Sequence, residues 1–200
     1  MLETKERLPR ELIAMRVAAE FKGGEFVNLG IGRAQEVGKI EVPDMMNAGG
    51  QPVTAIPGAW LMDSAESFAI VRGGHLDIAV LGGLQVAENG DLANHMRAGR
   101  KFGSVGGAAD IATGARRLFI AMEHTTKEGE LKLLRRCTYP LTATGVVKKV
   151  FTDVAVISVE PDGFLLEEVA PGWTAEEVQQ VTGAPLRVSP NLREIALAPY

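Results

Sequence analysis

The run Leu76–Leu81, LDIAVL, constrains this chain more than any other stretch: five of its six residues are apolar and it stops at the glycine pair Gly82–Gly83. A strand with no polar face has to be covered on both sides, the condition of a strand inside a parallel sheet flanked by helices. The glycines that follow have no Cβ, so backbone there can come close to a ligand or to another strand. Gly49–Gly50 and Gly73–Gly74 repeat the device within Asn47–Asn94, and an AENGD turn at Ala87–Asp91 completes the stretch around which the rest of the chain is organised. Any one pair is accounted for by a strand end or a helix cap. Several together point to loops that handle a phosphate or a thioester.

The flanking segments read as alternating helix and strand. Leu12, Ile13, Val17, Ala18 and Phe21 recur at helical spacing, so Pro9–Phe21 predicts a helix with Pro9 at its first turn and Gly23–Gly24 at its end. Glu25–Leu29 reads as a short strand running into Gly30-Ile31-Gly32, at the strand end where open α/β sheets bind ligands. Arg33–Asp44 is polar without a period and reads as a loop. Pro52–Ile56 reads as a strand, and Asp63 with Glu66 has the spacing of an N-terminal cap for a helix through Arg72. A second apolar run, Leu118–Met122, leads into Glu123-His124-Thr125. Val146–Phe151, Val154–Val159 and Phe164–Val169 are β-branched strands, the last two joined as a hairpin across Pro161-Asp162-Gly163. Thr174 with Glu177 opens a final helix that Gly183 is expected to close, and Leu186–Val188 reads as a last strand. This order predicts an α/β fold with a mixed sheet, and 200 residues without a linker or repeat fit one domain.

Bulk properties remove several functions. A net charge of −4 with 23% charged residues and no basic stripe argues against nucleic-acid binding. No run reaches about 18 apolar residues and MLETKERLPREL lacks a signal-peptide core, so a soluble cytoplasmic protein is expected. The single cysteine, Cys137, cannot form an internal disulfide and fits a reducing compartment. His75, His95 and His124 have no metal-ligand spacing, which leaves a metal site unsupported. GxGxxG and GxxxxGK are both missing, so nucleotide redox and ATP chemistry lack their signatures.

Four places remain for chemistry: the glycine turn Gly30–Gly32, the stretch Ser104–Asp110, the AENGD turn, and Glu123-His124. Adjacent N–H groups at Gly106 and Gly107 can hold an oxyanion; the alternative is a tight loop before a helix near Ala108. Glu88 and Glu123 are carboxylates beside strand ends, where each is a base or nucleophile or else a solvated turn residue. His124 reads as a structural hydrogen-bonding residue rather than an acid or base.

VNLGIG (27–32), NAGGQPVTAIPGA (47–59), the run 63–94, GGAAD (106–110), MEHTTKEG (122–129), CTYPLTATGVV (137–147) and LEEVAPGWTAEEV (166–178) together resemble the B (beta) subunit of 3-oxoacid CoA-transferases, in the family I coenzyme A transferases. The resemblance covers nearly the whole chain. It implies a three-layer sandwich with a mixed, largely parallel sheet, a CoA-transferase A (alpha) subunit as partner in a hetero-oligomer, and a coenzyme A thioester as substrate with no bound cofactor. The implied reaction moves CoA between short-chain carboxylic acids and a 3-oxoacid such as acetoacetate, as in ketone-body and fatty-acid metabolism, through a glutamyl-CoA thioester on the enzyme. Asn28 matches a CoA-site asparagine, and Gly106 with Gly107 match the GxGG loop near the reacting carbonyl. Two other readings stand beside this one: a non-catalytic paralogue that binds acyl-CoA or stabilises a partner, and a sugar-phosphate isomerase of similar architecture.

The chain departs from the pattern at Gly50 and Asn89, where the family has lysines, and at Ser104, where GxGG begins with glycine. The largest departure is an absence. In the family, VNLGIG continues through a helix and a strand that ends in the nucleophilic glutamate, whereas here Gly32 is followed at once by Arg33 and the stretch expected after that strand. About two dozen residues are missing, more than loop variation accounts for. Glu88 is no substitute, because QVAENGDLAN aligns with another motif, and Glu36 and Glu41 align downstream of the nucleophile. No catalytic residue is therefore assigned. Omission of a segment from this sequence is preferred over a true deletion, since loss of a core strand and helix should wreck such a sheet.

Overall fold

A computed structural model describes residues 5–29, 42–46, 52–53, 62–96 and 106–196. The expectations for Gly30–Gly32, Glu36, Glu41, Gly49–Gly50 and Ser104 lie outside the described residues. In chain order the elements are α1 (Arg10–Ala18), β1 (Val27–Leu29), β2 (Val42–Met46), β3 (Pro52–Val53), α2 (Ser64–Arg72), β4 (Leu76–Leu81), β5 (Gln85–Ala87), β6 (Leu92–Ala93), α3 (Ala108–Gly114), β7 (Ala115–Ala121), β8 (Leu133–Leu134), β9 (Val147–Phe151), β10 (Ala155–Glu160), β11 (Gly163–Val169), α4 (Ala175–Gln180) and β12 (Leu186–Glu194).

One seven-stranded sheet in the order β1-β4-β7-β9-β10-β11-β12 forms the frame. β1, β4, β7 and β9 run parallel, β10 is antiparallel to both its neighbours, and β12 is parallel to β11. Side chains alternate across a strand, and that alternation divides the core. Ile78, Val80, Phe119, Phe151 and Val156 pack with Ile13 and Val17 of α1 on one face. Ala79, Leu81, Leu118, Ile120, Val150 and Ile157 pack with Val71, Ala112 and Val178 of α2, α3 and α4 on the other. The result is the three-layer sandwich with a mixed, largely parallel sheet. A small sheet, β6-β5-β8, adds Val86, Leu92 and Leu133 to the second face.

Local chemistry explains most element ends. The Asp63 side chain accepts from the Glu66 N–H and starts α2, and Thr174 with Glu177 makes a complete capping box for α4. Three expectations need correction. Val42–Asp44 belong to β2 rather than a loop, because Val42 finds a cross-strand partner in Val53 that periodicity does not reveal. Gly183 does not close α4, which ends at Val181; its N–H bonds Leu133 O at 2.7 Å and a Cβ there would lie 2.7 Å from Leu134, so it is the place where chain passes tightly over β8. The last strand runs nine residues, well beyond Val188.

Glu168 on β11 ties the layers together. Only 2% exposed, it takes two hydrogen bonds from Arg16 of α1, at 2.7 and 2.9 Å, and two more from Arg193 of β12. Burial works against its charge, but those arginine hydrogen bonds outweigh it and hold the carboxyl below the ordinary glutamate range. Glu168→Ala should therefore lower stability by about 3–5 kcal/mol, as expected when one member of a buried ion pair is removed. Arg193→Ala removes a side chain that is 70% exposed and should cost no more than about 1 kcal/mol. Urea unfolding of the two variants checks the contrast.

Candidate functional site

The parallel strands define one edge for chemistry. A helix joining two parallel strands runs back along the sheet, so the N-termini of α1, α2 and α3 lie at the carboxyl ends of β1, β4 and β7. Asn28 near the end of β1, Gly82–Gly83 after β4, Gly106–Gly107 before α3, and Glu123-His124 after β7 therefore share that edge. Val27 and Leu29 pack on the α1 face, which turns Asn28 to the opposite face, the one that carries α3. Its Oδ1 is buried without a hydrogen-bond partner among the described residues. An unpaired buried acceptor costs about 1–3 kcal/mol, a penalty that a donor from a bound molecule would remove.

Gly106 adopts φ +52°, a conformation few side chains tolerate, and Gly107 caps α3 with its carbonyl accepting from the Ile111 N–H at 3.0 Å. A Cβ on Gly107 would lie 2.3 Å from Phe68 Cζ of α2. The second glycine is thus required for packing α3 against α2, and both N–H groups precede the first helical turn, where helix geometry leaves donors unpaired.

The carboxylates separate by location. Glu88 lies in the AENGD turn, where Gly90 O accepts from Val146 and Val147 at the start of β9, and its Oε2 is near Gly163 at the β10–β11 turn. Both landmarks mark the amino edge of the parallel strands, opposite Asn28 and Gly106. Glu123 is at the carboxyl edge but is ion-paired with Arg10; the arginine hydrogen bond holds its carboxyl below the usual range and makes it a weak base. Cys137 is also excluded as a nucleophile. Burial, with Asp91 nearby, pushes its thiol up to about 11.

His124 has the structural role expected of it. It is fully buried, Nδ1 lies 2.9 Å from Thr152 Oγ1, Nε2 lies 2.9 Å from Thr182 Oγ1, and its N–H donates to Asp153 Oδ1 at 2.7 Å. Thr152 Oγ1 also donates to the Ala155 carbonyl and Thr182 Oγ1 to the Val178 carbonyl, so both ring nitrogens are held inside a network of the chain's own groups. Among the described residues no group of three His, Cys, Asp or Glu side chains comes together to hold a metal ion, and no helix is long and apolar enough to cross a membrane.

Sequence reasoning missed one cluster at this edge. Asn94 bridges the Gly82 carbonyl and Thr142, and His95 bonds Thr142 through Nδ1. The partners are 47 and 48 residues apart, and only the pairing of Leu92 with Ala143 brings them together.

A parallel α/β sheet with glycine-lined loops and an unpaired polar atom at its carboxyl edge defines a ligand-binding α/β protein. Residues 33–180 match the family described as Coenzyme A transferase. The chain is 42% identical to the B (beta) subunit of 3-oxoadipate CoA-transferase from Pseudomonas putida over 207 residues, which covers 90% of this chain and 97% of that one. It is also 42% identical to the beta subunit of acetate CoA-transferase from Escherichia coli K12 over 206 residues, covering 92% and 95%. The crystal structure of the acyl-CoA transferase YdiF apoenzyme from Escherichia coli O157:H7 shares the fold, with a TM-score of 0.76 and 21% identity over 94% of this chain; this chain spans 44% of that one. The chain belongs to the coenzyme A transferase family.

Burial pushes the His124 pKa down to about 3, with the charges of Arg7 and Lys132 acting the same way. The unfolded chain takes up this proton near pH 6.5 and the native protein does not, so the contribution is complete above 6.5 and falls away as pH drops toward 3. Between about pH 6.5 and 5, above the range of most carboxylates, stability of the wild type should drop more steeply than that of His124→Gln, by up to about 1.4 kcal/mol per pH unit. Urea titrations at successive pH values give both slopes.

Proposed function

We propose that this chain is the B (beta) subunit of a CoA-transferase that moves coenzyme A between short-chain carboxylic acids and a 3-oxoacid such as acetoacetate, working in the cytoplasm beside an A (alpha) subunit. The observation that carries the reading is 42% identity across 97% of the 3-oxoadipate CoA-transferase relative. The geometry supports it: one edge gathers Asn28, with its unpaired acceptor, and the glycine turn before α3, while the carboxylate at that edge, Glu123, is held in an ion pair with Arg10. A site of that kind binds and positions, and leaves the covalent step to another group.

In the reaction, a glutamate carboxylate attacks the thioester carbonyl of acyl-CoA and the CoA thiolate leaves, forming an acyl-glutamyl anhydride. The thiolate then attacks the glutamyl carbonyl, the first acid departs, and CoA remains on the enzyme as a thioester until a second acid repeats the sequence in reverse. Donors at Gly106 and Gly107 stabilise the oxyanions formed on the way. Asn28 orients the CoA portion. The reaction needs the CoA thioester as substrate and no bound cofactor.

The nucleophile belongs to a segment that this sequence lacks between Gly32 and Arg33. The family match supports this by beginning at Arg33, directly after the glycine turn. The alignment with the Pseudomonas relative also supports it. That alignment spans 207 residues but uses 90% of 200, about 180, so about 27 of its positions have no counterpart in this chain.

After incubation with acyl-CoA and the partner subunit, mass spectrometry should find no CoA adduct or borohydride-reduced product on residues 1–200, and should find one on a glutamate of the intervening segment once that segment is restored. An adduct on Glu36, Glu41 or Glu88 would refute the proposed break. Gly107→Val should reduce the activity of the restored enzyme by on the order of a hundredfold. Part of that loss comes through Phe68, so Gly107→Val combined with Phe68→Ala separates packing from oxyanion donation: recovery of activity means packing alone.

A further inference from the structure

The small sheet β6-β5-β8 turns one side to the core and the other outward. Val86 and Leu133 pack into the core, so Gln85 and Leu134, their neighbours along β5 and β8, point the other way. On that outer side a cavity of about 400 Å³ opens between the loop that precedes β8 and the segment that follows it. Gln85 is its polar floor and is only 6% exposed. Its Oε1 accepts from the N–H groups of Thr138 at 2.8 Å and Tyr139 at 3.1 Å, and its Nε2 donates to Thr138 Oγ1 at 2.9 Å. The bonding capacity of the floor is thus used within the chain, while Leu84, Leu131 and Leu134 supply apolar wall.

Charge is uneven around the cavity. Arg135 and Arg136 lie on the connection between Leu134 and Thr138, both of which line it, and both arginines are exposed with no carboxylate partner among the described residues. Every other described arginine has one. In the loop of the opposite wall the charges of Lys127, Glu128, Glu130 and Lys132 cancel, so Arg135 and Arg136 set the sign. Leu131 in that wall is 37% exposed, and Leu141, just beyond Tyr139, is 43% exposed. Arginine and tyrosine are enriched where protein chains meet, and covering exposed leucine is favourable. A small anion would use the arginines and leave the leucines in water; a polypeptide with carboxylates and an apolar side chain uses both. A second copy of this chain docked about a two-fold axis here would set arginine pair against arginine pair.

We propose that the outer face of the small sheet is a docking surface for the A (alpha) subunit, which brings carboxylates to Arg135 and Arg136 and an apolar side chain into the cavity beside Tyr139. This rests on the transferase reading above, which supplies the second chain. The guanidinium groups pair with those carboxylates by charge-assisted hydrogen bonds, and the leucines at the rim are covered by the same contact.

The test is the affinity of the full chain for the A subunit that copurifies with it from the native source, measured by surface plasmon resonance at low and physiological salt, with hydrogen exchange of the chain alone and in the complex. Arg135→Glu combined with Arg136→Glu should weaken the complex by at least about tenfold and flatten its salt dependence. Leu141→Asp should also weaken it about tenfold. Lys22→Glu, which reverses an exposed charge in the α1 layer on the other side of the main sheet, should change it by less than about twofold. The substituted side chains are all exposed, so each variant should keep the wild-type Tm. Amides of residues 131–141 should exchange more slowly in the complex. An affinity unmoved by the arginine reversal overturns the proposal, as do amides at 131–141 that the A subunit leaves unprotected. Protection of the same amides by CoA alone, or by rising concentration of this chain alone, also overturns it, because the occupant is then a small anion or a second copy. If no CoA-transferase A subunit accompanies or binds the chain, the transferase reading itself fails and this proposal falls with it.

Discussion

Burial of β4 on both faces governs where this protein can place its polar chemistry. Ile78 and Ala79, neighbours on the strand with opposite orientation, are both wholly inaccessible to solvent, and the strand is hydrogen-bonded to β1 on one side and β7 on the other. A ligand has no approach along such a strand. The backbone first becomes available past Leu81, at Gly82, and there Asn94, Thr142 and His95 collect around it. One constraint thus explains both the apolar character of the run and the polar cluster that follows.

Polar groups near that edge fall into two kinds. His124, Asp153 and Thr152 satisfy one another, and Gln85 accepts from the backbone of Thr138 and Tyr139 while its amide reaches the Thr138 hydroxyl. These groups fix loop positions, and their bonding capacity is used within the chain. Asn28 Oδ1 is the exception, a buried acceptor with no partner among the described residues. Protein interiors seldom leave such an acceptor unmatched.

The sheet and its helices were legible in the sequence where a local signal was strong. LDIAVL announces a two-sided strand, Asp63 with Glu66 and Thr174 with Glu177 announce helix starts, and Pro161-Asp162-Gly163 announces the hairpin whose register closes at Glu160 and Gly163. β2 and the small sheet were hidden because strands this short or irregular carry no period and exist only through distant partners. Gly183 misled for a related reason: a glycine after a helix looks like a cap, although its demand comes from the Leu134 side chain and the Leu133 carbonyl of β8. For the site, the resemblance led to Asn28 and Gly106–Gly107, which topology brings to one edge. His95 stayed hidden because its chemistry is set by Thr142, far away in sequence.

At the other end of the sheet, β12 has no strand partner on its outer side among the described residues, yet it is poorly suited to acquire one. Pro190 has no N–H to offer, and the pairing with β11 shifts register between Leu166 and Glu168, bending the strand at mid-length. Arg187 and Arg193 occupy the same strand, drawn back onto Glu160, Asp162 and Glu168. A proline, an irregular pairing and two charges are the devices by which natural sheets resist growth. On this flank a companion chain can meet the protein only through its layers or its loops, and aggregation by strand stacking is blocked where it would otherwise begin.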